Sequence, residues 1–384
     1  MSIINLNISI GEAIDKLTIL EIKKEQINDE RLNNILNEYN YLYPLLQNIV
    51  DKYLFFYNIL KKINEDIWKF QDKIRLINHN DKNYAIFCEN IILLNDSRYL
   101  VKQKINKLVK STFMEEKNYI KRNCYIISHL GLGDNITMIG AVRLLSIIYD
   151  TVNVFVKDKY IKNVSNFYMD DLSIKLISVD TTINELLFIN QFINKNINKN
   201  DDFLVSGIIH KQYFKSIIKH PFLKYINEQF NNDITNYNTT FYPTINNLVK
   251  QFYDNIEIPF KYYSEYFYIP ETENSINLYN QIKHLKIIFT HTEASNTKIN
   301  FNFNEFINND EYIIISANKN EYNIGHKYYD IAEKYINIPI IDYISLILNA
   351  NKIMIIDSCF STIIYPLKLR NKLKTEDIKI IIRQ

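Results

Sequence analysis

The sequence predicts an α/β protein in which an all-α region precedes two doubly wound domains that face a cleft. Three observations carry this. The first 118 residues place apolar side chains at helical spacing, with no strand pattern and a single proline, Pro44. From Asn123 onward short apolar runs alternate with amphipathic segments, as in a parallel sheet covered by helices. That alternation fades near residue 208, and a second block of it opens at Lys286.

In chain order, Ser9-Ile10-Gly11-Glu12 reads as a capping box, opening a helix through Lys24 with Ala13, Ile14, Leu17 and Leu20 on its apolar stripe. Residues 32–50, 53–76 and 83–109 repeat the helical period, so the region is a bundle or long hairpin of helices. Residues 125–128 are then a buried strand, 131–134 a tight turn and 136–149 a helix. Strands follow at 152–156, 174–179 and 203–206, with a helix over 158–169 between the first two. Residues 208–285 are less periodic, and the prolines at 221, 243, 259 and 270 mark turns. The segment from Pro259 to Pro270 reads as the crossing between two domains. The second block has strands at 286–290, 312–315, 338–341 and 352–356, helices at 328–335 and 343–350, a helix opening after Asp357, and a closing strand at 378–382. The expected division is 1–118, 119–260 and 261–384.

Composition narrows the partners. Lys+Arg 45 against Asp+Glu 43 leaves a net charge of +2, and seven of the cations are arginine, so no basic field for nucleic acid is present. Cys88, Cys124 and Cys359 form no C-x-x-C pair, which points to neither zinc nor a disulfide framework and suggests a reducing compartment. No leader-like start or run of 18 apolar residues occurs, so a cytoplasmic protein without a transmembrane segment is expected.

Chemistry concentrates at two strand ends. The chain has six glycines, and Gly131, Gly133 and Gly140 fall within ten residues, where backbone must turn sharply or approach something closely. The stretch His129-Leu130-Gly131-Leu132-Gly133-Asp134-Asn135 thus either connects strand to helix or lies against a ligand, and Asp134 either caps the helix or faces a cleft. Near the carboxyl end, Asp357, Ser358, Ser361 and Thr362 fall at a helix amino terminus. Free N–H groups and hydroxyls there suit a phosphate, the alternative being plain capping. His291 and Glu293 follow the first strand of the second block, with Ser295, Asn296 and Lys298 behind them, and Asn318-Lys319 follows the next strand.

Two resemblances add to this reading. Gly11-Glu12, the run from Asp15 to Lys23, Trp68, Asn95-Asp96-Ser97-Arg98 and Glu115-Glu116-Lys117 resemble an uncharacterised bacterial helical domain family of unknown function, over about the first 118 residues. A protein partner, if there is one, is expected at this helical domain. The Gly131 to Asp134 turn with 136–145, together with the Asp357-Ser358 segment, resembles two-Rossmann (GT-B type) glycosyltransferases, most nearly heptosyltransferases, over residues 123–384. That resemblance implies a nucleotide-sugar donor held by the second Rossmann-like domain and a glycan or other hydroxyl acceptor at the first. Asp134 is then the candidate base of an inverting reaction, with His291 a second catalytic candidate. Gly131, Gly133 and Asn135 form the acceptor-side loop. Asp357, Ser358, Ser361, Thr362, Glu293, Lys298 and Lys319 become donor-site candidates, the two lysines supplying charge for the diphosphate. No D-x-D occurs, so neither a metal nor a further cofactor is required. The alternatives are a non-catalytic glycan or nucleotide-sugar binding protein whose helical domain recruits partners, and a sugar-nucleotide epimerase.

Overall fold

The structure is a computed structural model that describes residues 6–118, 121–182, 184–223, 226, 245–294, 297–309 and 311–382. Ser295, Asn296, Pro243 and Met1 lie outside these residues.

Four helices open the chain: α1 (Ile10–Gln26), α2 (Arg31–Lys52), α3 (Leu54–Leu76) and α4 (Lys82–Leu108). Ser9 caps α1 by accepting from the Glu12 N–H at 3.2 Å, which satisfies one of the helix's orphan donors. Ala13, Ile14 and Leu17 bury against Phe56, Leu60 and Ile63 of α3 and Val101 and Ile105 of α4. Charge is buried here as well. Asp15 accepts from Nε of Arg98 at 2.8 Å and from Nδ2 of Asn64 at 2.9 Å, and Lys102 bridges Glu12 and Glu115.

The first sheet is wholly parallel, in the order β3-β2-β1-β4: β1 (Asn123–Ile127), β2 (Thr151–Lys157), β3 (Ile174–Val179) and β4 (Asp202–Val205). Alternation along β1 splits its side chains between two cores. Cys124 and Ile126 face the α5–α6 side, built by α5 (Leu132–Thr137) and α6 (Ile139–Ser146). Tyr125 and Ile127 face Phe155, Ile189 and Phe203 on the other side.

The second sheet is also parallel, in the order β10-β9-β5-β8, with β5 (Lys286–His291), β8 (Tyr312–Ser316), β9 (Lys352–Ile356) and β10 (Ile378–Ile381). Glu293–Ala294 (β6) and Thr297–Lys298 (β7) form a small hairpin after β5. The molecule is therefore a helical region followed by two Rossmann-like α/β units.

Several local expectations are corrected. Residues 338–341 are not a strand. Pro339 has no N–H for a ladder, and its carbonyl instead starts a tight 3-10 turn, Ile340–Tyr343, by accepting from Asp342 at 2.9 Å. The expected turn at 131–134 is already helical beyond its cap Gly131, and the helix that follows is interrupted at Met138 and ends at Ser146. The helix over 158–169 shrinks to Ile161–Asn166 behind a single 3-10 turn. A further helix, Glu185–Asn196, covers the outer face of the first sheet.

Buried polar contacts join the parts. Lys104 of α4 pairs with Asp171 at 2.8 Å, both side chains almost wholly buried. Arg143 of α6, fully buried, pairs with Asp170 at 2.6 Å and packs on the rings of Phe55, Tyr168 and Tyr268. Tyr268 lies in the Pro259 to Pro270 segment and stacks on Phe55 of α3 with centroids 4.5 Å apart.

Candidate active site

Both sheets reverse their winding at the strand that opens them. In the first sheet β2 and β3 extend to one side of β1 and β4 returns to the other; in the second, β8 lies on one side of β5 and β9 on the other. Side chains leaving the carboxyl ends of β1, β4, β5 and β9 stand at these switch points, where open α/β sheets hold their ligands. Between the two sheets lies a cleft of about 700 Å³, lined by Gly131, Gly133, Asp134 and Thr137 from one side and His291, Glu293, Asp357, Ser358, Cys359 and Thr362 from the other. Tyr160, Leu248, Val249 and Phe252 supply an apolar wall. At Gly133 a methyl group would sit 4.0 Å from Cα of Cys359, so the two sides nearly touch there.

Asp134 stands in the first turn of α5, close to the backbone of the cap residue Gly131, and its side chain is still 30% exposed to the cleft. A methyl group on residue 131 would press on Oδ2 of Asp134, so a larger residue there would require the carboxylate to move. Burial raises the proton affinity of Asp134 above the usual carboxylate range, against the opposing pull of His129, the Gly131 N–H and Lys157. Asn135 is buried, spending its amide on the Gly131 carbonyl at 2.8 Å, and so shapes the loop from behind.

Across the cleft, Nδ1 of His291 lies 3.0 Å from Oγ of Ser358. Burial depresses the ring to a pKa of about 4, so it is neutral at pH 7. Ser358 Oγ also takes the Phe360 N–H at 3.3 Å, and Thr362 Oγ1 donates to the Cys359 carbonyl at 2.7 Å. Ser361 does not face the cleft. Fully buried, its hydroxyl sits between Asp357 Oδ1 and the Ser358 carbonyl, both at 2.5 Å, locking the strand-to-helix turn from inside.

The candidate cations stand apart from the lining. Lys298 is on the exposed hairpin, paired with Glu293 at 2.5 Å, and this bond lowers the Glu293 pKa. Lys319 pairs with Glu321 at 3.3 Å. Among the described residues that line the cleft there is neither Lys nor Arg. Among the described residues no group of three or more His, Cys, Asp or Glu is placed to hold a metal ion, and no helix is long and apolar enough to cross a membrane.

Sequence reasoning gave no role to His129, Tyr160 or Phe252. His129 sits between the two chain segments that leave β1 and β4, a neighbourhood that only the sheet order brings together.

Residues 4–129 match a family of unknown function, DUF6165, a span that runs from the helices through β1 to His129. No curated protein matches. Among solved structures, a glycosyl transferase family 9 protein from Veillonella parvula DSM 2008 is similar at 10% identity and a TM-score of 0.40, over 69% of this chain and 86% of that one.

Proposed function

We propose that the protein transfers a glycosyl group from a nucleotide-sugar donor to a hydroxyl of a glycan or related acceptor, with Asp134 as general base and inversion at the sugar carbon. One observation carries this reading: a carboxylate of raised proton affinity faces a hydroxyl-bearing strand-to-helix turn across a cleft formed at the switch points of two parallel sheets. The acceptor hydroxyl gives its proton to Asp134 as its oxygen attacks the sugar, and the nucleoside diphosphate departs towards the second domain. There the hydroxyl of Ser358, and that of Thr362 once it turns from the Cys359 carbonyl, are its hydrogen-bonding partners; contrary to the expectation of free N–H groups, those of Ser361, Thr362, Ile363 and Ile364 already donate within the turn. Neutral His291 serves as a hydrogen-bond donor or acceptor and not as a cation at pH 7. Metal is not required, and Lys298 on its hairpin and Lys319 are the candidates to neutralise the diphosphate.

A competing reading is a binding protein for an uncharged glycan, since the described residues of the lining carry neither Lys nor Arg. A thermal-shift screen against nucleoside diphosphates, nucleotide sugars and neutral oligosaccharides separates the two, since a ligand at about 100 times its Kd adds about 2.7 kcal/mol. The transferase reading expects a shift with one nucleotide class that Ser358→Ala with Thr362→Ala removes. A shift with oligosaccharides alone refutes it.

A further inference from the structure

We infer that His129 is a positioning residue for Asp134, held as the neutral Nδ1–H tautomer by two backbone N–H groups so that its proton faces the carboxylate. This rests on the reading of Asp134 as the base.

The geometry leaves the ring little choice. Nε2 of His129 accepts from the N–H of Ile208 at 2.6 Å and from that of Ile209 at 3.2 Å. A nitrogen facing two donors carries no proton, so the proton of the neutral ring is on Nδ1. Nδ1 in turn lies 4.0 Å from Oδ1 of Asp134, longer than a hydrogen bond and short enough to become one with a small movement of the loop. The ring is fixed edge-on against Phe252, with centroids 4.7 Å apart.

Two backbone features exist to allow this. Gly207 has φ +85° and ψ 175°, a region open in practice to glycine alone, and a methyl group on it would lie 2.5 Å from Cδ2 of His129. Leu130, between His129 and Gly131, is a fully buried non-glycine residue at φ +63°. Left-handed backbone at a bulky residue costs about 1–3 kcal/mol and persists where the surroundings over-determine it. Here it turns the chain so that residues 129 and 134 face each other.

Groups of both signs surround the ring, and the two N–H donors and burial decide its charge. His210, beside it, points Nε2 at Glu185 at 2.6 Å; Glu185 also pairs with Lys157 at 3.2 Å. The facing wall of the cleft contributes Asp357, Glu293 and neutral His291. An imidazolium at His129 would place an Nε2–H against the Ile208 and Ile209 donors. Burial likewise depresses the proton affinity of His129 below its usual value. Asp134 is therefore left as an ionised base beside an N–H dipole and keeps more basicity than it would beside a cation.

The test is NMR on the full chain, independent of activity. In protein labelled with 15N-histidine, His129 is assigned by loss of its signals in His129→Gln, and 13C-carboxyl titration follows Asp134, assigned with Asp134→Asn. Gln keeps an acceptor near the Nε2 position and has no donor near Nδ1; Asn does the reverse. We expect the Nδ1–H tautomer at pH 7. We also expect His129→Gln to raise the Asp134 midpoint, by roughly threefold or more in proton affinity, because the anion loses its facing N–H. His129→Asn should stay near wild type, and if it does not fold the wild type against His129→Gln comparison decides. An Nε2–H tautomer, an imidazolium at pH 7, or equal Asp134 midpoints in folded wild type and His129→Gln overturns the inference. Failure of the transferase reading leaves these signals unchanged and shows instead as absence of nucleotide-sugar binding and turnover.

Discussion

Gly207→Ala tests how the carboxyl end of β4 is tied to the candidate site. At φ +85° and ψ 175° an alanine pays about 1–3 kcal/mol for the backbone alone. Its methyl group also meets the imidazole of His129, a rigid ring backed by Phe252, so the ring must move and its bonds from the Ile208 and Ile209 N–H groups stretch or break. Each such bond contributes about 0.5–1.5 kcal/mol net, which brings the total to about 2–6 kcal/mol. Gly325→Ala is the matched control. Gly325 has φ +93° with nothing within 4 Å of the added methyl, so it pays the backbone cost only. At about 2–4 °C per kcal/mol for a unit of 150–250 residues, Gly207→Ala should melt about 4 °C or more below wild type and lower than Gly325→Ala. Hydrogen exchange should rise in peptides spanning residues 128–138 and 205–214. A Gly207→Ala protein that melts no lower than Gly325→Ala, with unchanged exchange in those peptides, refutes the packing of His129 described above.

Three other outcomes follow from the charges. The raised proton affinity of Asp134 means that its ionised form works against the fold: stability is greatest below the usual Asp range and falls as pH rises through the folded pKa. Asp134→Asn should therefore melt above wild type at pH 7, with the gain vanishing at pH 3; an equal or lower Tm at pH 7 contradicts the burial argument. His291 and His220 are both depressed to about 4 by burial, so the unfolded chain binds more protons than the folded one between about pH 6.5 and 4, and stability declines as pH falls through that window. His291→Gln should flatten this decline, and a melting-temperature profile as steep as that of wild type would count against it. Lys104→Met strands the buried Asp171 carboxylate, for a loss of about 3–5 kcal/mol, and Lys104→Met with Asp171→Leu should recover much of it. Urea melts that show no loss in the single variant would remove this pair as the tie between α4 and the first α/β unit.

Much of the architecture is legible because it rests on periodicity. The four helices announce themselves by stripes such as Ile14, Leu17 and Leu20, and β1, β5 and β9 by apolar runs of strand length. Legibility fails where a local signal meets a competing one. Residues 338–341 are apolar enough for a strand, yet Pro339 denies the ladder a donor. In helix Glu185–Asn196 four consecutive apolar residues, 186–189, obscure a helical period that Asn184 caps.

The site divides in the same way. Strand ends with small or polar residues marked Asp134, His291 and Ser358, because strand carboxyl ends in a doubly wound sheet converge. Which hydroxyl faces inward was not legible. Ser358, Ser361 and Thr362 differ only by rotation around one helix start, and Ser361 is turned towards Asp357. His129 was beyond reach for another reason. Its partners lie 79 and 80 residues away, and their approach depends on β4 returning beside β1.

The measurement that bears most directly on the central proposal compares wild type and Asp134→Asn in two assays, calorimetric binding of the nucleotide sugar found by the thermal-shift screen and its transfer to a hydroxyl acceptor. The account predicts unchanged donor binding with turnover reduced by about 10²–10⁴-fold, the usual contribution of a general base. Equal turnover in the two proteins, or no transfer by a wild type that binds its ligand, contradicts it.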